Sequence, residues 1–452
     1  MSRPISIRTR LLAVGSTVAV AAAGFTVAAP SPALAACDSN AEWTQCITDA
    51  EIQEYLKTEY KFSGSESLSQ MDDKVTYIGK VPDQGADPIP VTGVTSLEGL
   101  DHLPKLAKIA LSGSSVDDFS SLKDIPLTDL YLEFHKPALP SDALAKLTHL
   151  DSAILVGNSI TKIPDLSAAT NLTALEVYKN GLTNLDGLET VSKTLTHLNF
   201  GDNKVASLPP EASGFTNLRH IDGRNNLLTD IDELKGITTL QEVFLDNNQI
   251  ASLEPLRGNP DLDIVDFTNN RITDLTPLAG ANGIEKCYFD NQVSVLDPTT
   301  ANVGDSYTLA SAKNGDGSAI PVQSSAPGAG TTDAVGVTWN NLVEAPTTTY
   351  TLQFAGEARL GLTPATCPFN GNISQELTVN PKPKPPEPTP PTPTPPTPTP
   401  DPTPTPTPDP TPTPTPTPKV PKTGADLAPL GIAAGALALG VLALGVDRLR
   451  RR

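Results

Sequence analysis

Leu240-Gln241-Glu242-Val243-Phe244-Leu245-Asp246-Asn247-Asn248-Gln249-Ile250 decides how this chain folds. Leucine, valine or isoleucine stands at its first, fourth, sixth and eleventh places and asparagine at the ninth, with Leu253 and Leu256 following. The pattern L-x-x-L-x-L-x-x-N-x-I/L also starts at residues 106, 127, 150, 172, 195, 218, 262 and 284, at spacings of 21 to 23 residues. Its centre alternates inward and outward residues, the period of a half-buried strand. A unit this short buries too few apolar side chains to offset the entropy of ordering itself, so the units must stack and share one core. Asn158, Asn180, Asn203, Asn226, Asn248 and Asn270 recur at one place in the unit, where Ser114, His135 and Gln292 stand instead in early or outer copies.

This pattern resembles the leucine-rich repeats. The resemblance implies one short strand per unit lining a concave face, and asparagines that form an internal ladder to buried backbone groups. It also implies a weaker ladder at Ser114, His135 and Gln292. The expected fold is mainly β with short helices: a leucine-rich-repeat solenoid with a helical N-terminal cap, followed by an immunoglobulin-like β-sandwich. Residues 36–105 are assigned to the cap and an incomplete first repeat. Within them, 47–60 reads as an amphipathic helix started by Thr48 or Asp49, and Val94, Leu97, Leu100 and Leu103 supply the incomplete repeat. The repeats occupy 106–290. Residues 291–380 change to short β-type runs between Gly, Pro and Asn turns: Ser306–Leu309, Gly336–Trp339, Thr348–Phe354 and Gln375–Val379.

The two ends carry an address. Arg3, Arg8 and Arg10 precede the uncharged apolar run Leu11–Ala29, and Ala33-Leu34-Ala35 offers a cleavage site, so 1–35 reads as a signal peptide. Leu34-Ala35-Ala36-Cys37 also has the form of a lipobox, with Pro30 and Pro32 interrupting the apolar run before it. At the other end Val420-Pro421-Lys422-Thr423-Gly424 precedes the charge-free segment 427–446 and a basic tail. At about 1.5 Å per residue that segment spans roughly one bilayer core. This order resembles the sortase sorting signal of Gram-positive bacteria, which implies a covalent bond from Thr423 to peptidoglycan. Val420 replaces the usual leucine and leaves the sortase class open. Between them, the linker 381–419 is mostly Pro-Thr. Locked φ angles and missing amides make it a polyproline II rod, and its 381–418 tract reaches roughly 120 Å.

Several functions are excluded by composition. The net charge is −19, and it becomes more negative once both basic ends are set aside, which disfavours nucleic acid and anionic membranes as partners. The chain has no H-E-x-x-H, G-x-S-x-G, phosphate-binding loop or G-x-G-x-x-G, so no enzyme class, cofactor or metal is assigned. His197 and His220 hold the same place in adjacent units, beside Asn199 and Asp222, and are read as a solvent-facing polar pair rather than a metal site. The four cysteines suit an oxidising exterior, with Cys37 and Cys46 closing a small loop and Cys287 and Cys367 tying the last repeat to the sandwich. Cys287 also sits at an inward place, where it would serve equally as a small core residue.

The third, fifth and seventh residues of each unit point away from the core. On that face Tyr131, Phe134, Ile154, Val156 and Tyr178 are expected to form an exposed apolar patch. Asp222, Asp246, Asp266 and Asp290 are expected to form an acidic floor around Phe244 and Tyr288. Apolar clusters exposed on a rigid scaffold mark protein partners. The order of cap, repeats, sandwich and sorting signal resembles the internalins, bacterial surface proteins that bind host proteins through concave residues. The resemblance implies a non-catalytic, secreted, wall-anchored adhesin or receptor-binding protein. Its partner would be a host or neighbouring-cell surface protein, or a glycan. A self-associating structural component of the wall is the alternative.

Overall fold

The computed structural model describes residues 37–80, 88–209, 214–328, 330–360 and 366–384. The signal segment 1–35, most of the Pro-Thr linker and the sorting segment 420–452 lie outside them. Among the described residues no helix is long and apolar enough to cross a membrane. The described part belongs to one compact unit that ends at Lys384.

Three short helices come first: α1 (Trp43–Cys46), α2 (Ala50–Tyr60) and α3 (Leu68–Met71). Asp49 starts α2, its Oδ1 accepting from the backbone N–H of Glu51 and Ile52 at 3.0 and 3.1 Å. Its second oxygen accepts from the Thr95 and Ser96 backbones at 2.8 and 3.1 Å, so one buried carboxylate caps a helix and ties it to the first repeat. Trp43, Ile52 and Leu56 enter the same core as the repeat leucines. A disulfide joins Cys37 to Cys46.

The strands β1 (Tyr77–Ile78) and β2 (Val91–Thr92) both pair with β3 (Lys108–Ser112). Then follow β4 (Asp129–Glu133), β5 (Ser152–Val156), β6 (Ala174–Glu176), β7 (His197–Asn199), β8 (His220–Asp222), β9 (Glu242–Phe244) and β10 (Ile264–Asp266), all parallel. Register is kept throughout: Ile109, Leu130, Ala153, Leu175, Leu198, Ile221, Val243, Val265 and Cys287 are successive partners. A slip of one residue would turn every leucine to solvent, and the repeat prevents it.

The asparagine ladder closes each turn. Asn248 Nδ2 donates to the carbonyls of Gly223 and Leu245, both at 3.0 Å, and its Oδ1 accepts from Leu228 N–H at 3.0 Å. Gln292 reproduces the whole set, donating to Phe267 and Phe289 and accepting from Ile272 at 2.8 Å, so the weak rung expected there is corrected. Gly371 on β17 lets that strand approach closely here, since a Cβ there would collide with the Gln292 backbone. His135 is the imperfect rung: Nδ1 meets Ser114 Oγ at 2.9 Å, while the buried Nε2 has no hydrogen-bond partner among the described residues. Before each of these ladder amides from Asn180 onward the chain takes a left-handed residue: Lys179, Asp202, Asn225, Asn247, Asn269 and Asn291. Asparagine tolerates that conformation better than other side chains, which explains the repeated Asn-Asn pairs.

The strand β11 (Lys286–Asn302) begins as the ninth repeat strand and does not stop. It continues for 17 residues, pairing with β10 at its start and then in parallel with β17 (Thr366–Asn380). The expected boundary at 290/291 therefore falls inside one strand. The sheet runs on through β16 (Ala345–Arg359) to β13 (Val322–Ala326). A second sheet of β12 (Tyr307–Ala310), β15 (Gly336–Trp339) and β14 (Thr331–Thr332) packs against it. Tyr307 and Trp339 meet Tyr350 edge-on at centroid distances of 5.1 and 4.9 Å. Phe267, Phe289, Phe369 and Phe354 form one chain of ring contacts from the repeats into this module. Cys287 and Cys367 are joined by a disulfide across β11 and β17.

Candidate binding face on the parallel sheet

Alternation puts one row of side chains from each repeat strand on the outward face of the sheet, and the two ends of that face differ. Over β3–β6 the row is apolar. Tyr131 and Val156 are only 7% and 1% exposed, buried with Ala110, and Ile154 and Tyr178 pack against them as a separate small cluster. The open patch expected here is thus corrected at Tyr131 and Val156, which are buried, while Ile154 and Tyr178 stay half-buried. Parallel strands lie about 4.8 Å apart, so large apolar side chains at matching places cover one another. Alternation tells which side a residue faces, and says nothing of what covers it there. Burial, then Glu133, pushes the Tyr131 hydroxyl well above its ordinary pKa. Phe134 alone of the five stays open, 46% exposed, with its ring lying over Gly157. A Cβ at 157 would collide with that ring.

Over β7–β11 the face is polar. Asp222 is buried and held by Arg224 two residues on, with Nε to Oδ1 at 2.9 Å and a second guanidinium nitrogen to Oδ2 at 2.7 Å. The guanidinium also lies over the Phe244 ring at 5.4 Å. Beyond it Asp246 and Asp266 feel the same Arg224 charge at longer range. Burial first, and then the Asp266 charge, push the Asp246 carboxyl up to about 6, with Arg224 offsetting part of the rise. Asp266 accepts from Thr268 N–H at 2.9 Å. Asp290 accepts from the Asn370 side-chain amide and is thereby drawn into the joint with β17. So the four aspartates are not one uniform floor: Asp222 is paired, Asp290 is structural, and Asp246 with Asp266 remain. Tyr288 stands 41% exposed at the end of the row.

His197 and His220 are register partners, their rings stacked at 5.6 Å and 26°. His220 Nδ1 meets Glu242 Oε2 at 2.9 Å, and its ring touches Phe244 at 5.4 Å. Burial, then the neighbouring His220, lowers the His197 pKa. Glu176 on β6 is raised by burial. Alternation places Glu176, Arg224 and Glu242 on this face, yet sequence reasoning did not single them out as candidate binding residues. The signal for Arg224 was there, because residues two apart on a strand share a side and Asp222–Arg224 is such a pair.

The family profile described as "Leucine Rich repeats (2 copies)" matches residues 193–236 and 238–280. No curated protein sequence matches the chain. Among solved structures, Listeria monocytogenes InlP is similar at 16% identity over 75% of this chain and 99% of that one, with a TM-score of 0.53. Internalin C2 from Listeria monocytogenes is similar at 21% identity over 55% and 96%, TM-score 0.41. The plant peptide hormone receptor RGFR1, solved in complex with RGF2, is similar at 19% identity over 46% and 38%, TM-score 0.38. Leucine-rich repeats are thus matched over residues 193–236 and 238–280, and the chain, mainly β with few short helices, has the fold seen in InlP.

Proposed function

We propose that this protein is a non-catalytic, cell-wall-anchored adhesin or receptor-binding protein that holds a protein partner on the outward, concave face of its repeats. The observation that carries this reading is the β7–β11 face, where Arg224, Phe244, Asp246, Asp266 and Tyr288 are ordered by the fold without being consumed by the core. Side chains prearranged on a rigid sheet lose little entropy on binding. In the same reading α1–α3 cap the solenoid, the two-sheet module is immunoglobulin-like, and residues 1–35 direct secretion. The segment Val420-Pro421-Lys422-Thr423-Gly424 then places the protein on peptidoglycan at the cell surface.

Two experiments test it. Residues 37–384, a single compact unit, are screened against host-surface proteins and glycans. Phe134→Ala and Tyr288→Ala are then expected to weaken the captured partner at least tenfold, about 1.4 kcal/mol, without lowering the melting temperature. Tyr131→Ala, by contrast, is expected to destabilise the fold. Normal binding by both exposed-ring variants would remove the face from consideration. For anchoring, replacing Pro421 and Thr423 should move the protein from the wall fraction to membrane or medium, and an unchanged distribution refutes the sorting signal.

The self-associating alternative has one observation in its favour. Val293 and Val295, two residues apart on β11, are 55% and 71% exposed. Sedimentation of the same fragment separates the readings, since assembly that rises with concentration and needs no ligand belongs to the alternative alone.

A further inference from the structure

We propose that His197 and His220 together bind one divalent transition-metal ion of the zinc class. Both rings rise from neighbouring strands at matched register, and each has its proximal nitrogen already committed. His197 Nδ1 meets Thr196 Oγ1 at 2.8 Å, and His220 Nδ1 meets Glu242 Oε2 at 2.9 Å. On His220 the Glu242 carboxylate accepts the Nδ1 proton, which leaves the lone pair on the distal Nε2, and on His197 the Thr196 hydroxyl oxygen can accept in the same way. Metal-binding histidines are oriented in this way, and the partner raises their basicity as ligands. Among the described residues neither Nε2 has a hydrogen-bond partner. His197 is exposed, and the His220 side chain keeps 24% of its surface open.

The spacing is within reach. A tetrahedral ion about 2.0–2.1 Å from each nitrogen requires nitrogens about 3.3 Å apart. The rings stand stacked at 5.6 Å between centroids and 26° between planes, so both must turn to bring the two Nε2 lone pairs onto one ion. The charged groups around the pair are Glu176 on β6, Asp222 on β8 and Glu242 on β9, against Arg219 and Arg224. Their balance favours a cation. Among the described residues no third histidine, cysteine or carboxylate completes a set, so the remaining positions fall to water or to a group on a bound molecule. Imidazole nitrogens select zinc, copper or nickel over the oxygen-seeking calcium and magnesium.

Zinc chloride titrated calorimetrically into the untagged full chain at pH 7.5 tests this. One ion per chain is expected, with no saturable heat from calcium. His197→Ala with His220→Ala should abolish uptake while leaving the melting curve in place. Glu242→Gln should weaken it by about 10–100-fold. His220→Gln, closer in shape, serves if the double variant does not fold. Zinc binding that survives loss of either histidine, equal binding of calcium, or no saturable zinc uptake overturns the proposal.

Discussion

Asp246 shows how a single residue on this face is tuned by what surrounds it. Its folded pKa, about 6, lies above the ordinary aspartate value, so the folded state holds the proton more tightly than the unfolded chain does. The sign follows: the charged carboxylate opposes folding above pH 6, and this opposition fades as the pH falls from 6 toward 4. Asp246→Asn keeps the shape and removes the charge. It is expected to stabilise the protein at pH 7.5 by roughly 1 kcal/mol, the full shift being discounted for partial exposure. At pH 4 it should change nothing. Urea melts at the two pH values check this, and equal effects at both would show that Asp246 titrates normally.

The elements are set by side-chain size as much as by pattern. Gly223 occupies the sixth place of its repeat, where the neighbouring repeats carry Phe200 and Leu245. A Cβ at Gly223 would run into the Phe200 ring and the Leu245 side chain, because Phe200 fills the space a leucine would take. Gly223→Ala is therefore expected to cost about 1–3 kcal/mol by overpacking, although alanine suits a strand better than glycine does. Phe200→Leu in the same chain should recover part of that loss. Additive losses in a thermal melt of the double variant would mean that the two residues do not share the space. The repeat pattern alone gives Gly223 as a defect, and its meaning lies in the adjacent strand.

At the scale of the molecule β11 removes the hinge between repeats and module. One strand serves both, Phe289 stacks on Phe267 behind it and meets Phe369 ahead, and the Cys287–Cys367 disulfide closes a chain separation of 80 residues at the same spot. Separating the parts would break backbone pairing, ring packing and Gln292's bonds at once. Residues 37–384 are thus expected to unfold in a single calorimetric transition. Two well-separated transitions would show that the shared strand does not couple them.

The sequence by itself determined the repeat, its register, the inward side of every strand and the asparagine ladder. Each is a periodic property, and a stack of equal units turns period into position with no other information. Tertiary structure decided what periodicity does not carry. It closed Tyr131 and Val156 under their neighbours while leaving Phe134 open, and it gave Asp222 to Arg224 and Asp290 to Asn370. It also let Gln292 serve as a full rung and carried β11 through the expected boundary. In each case the outcome depends on a side chain from another strand, often far along the chain, whose size and charge a pattern within one repeat does not contain.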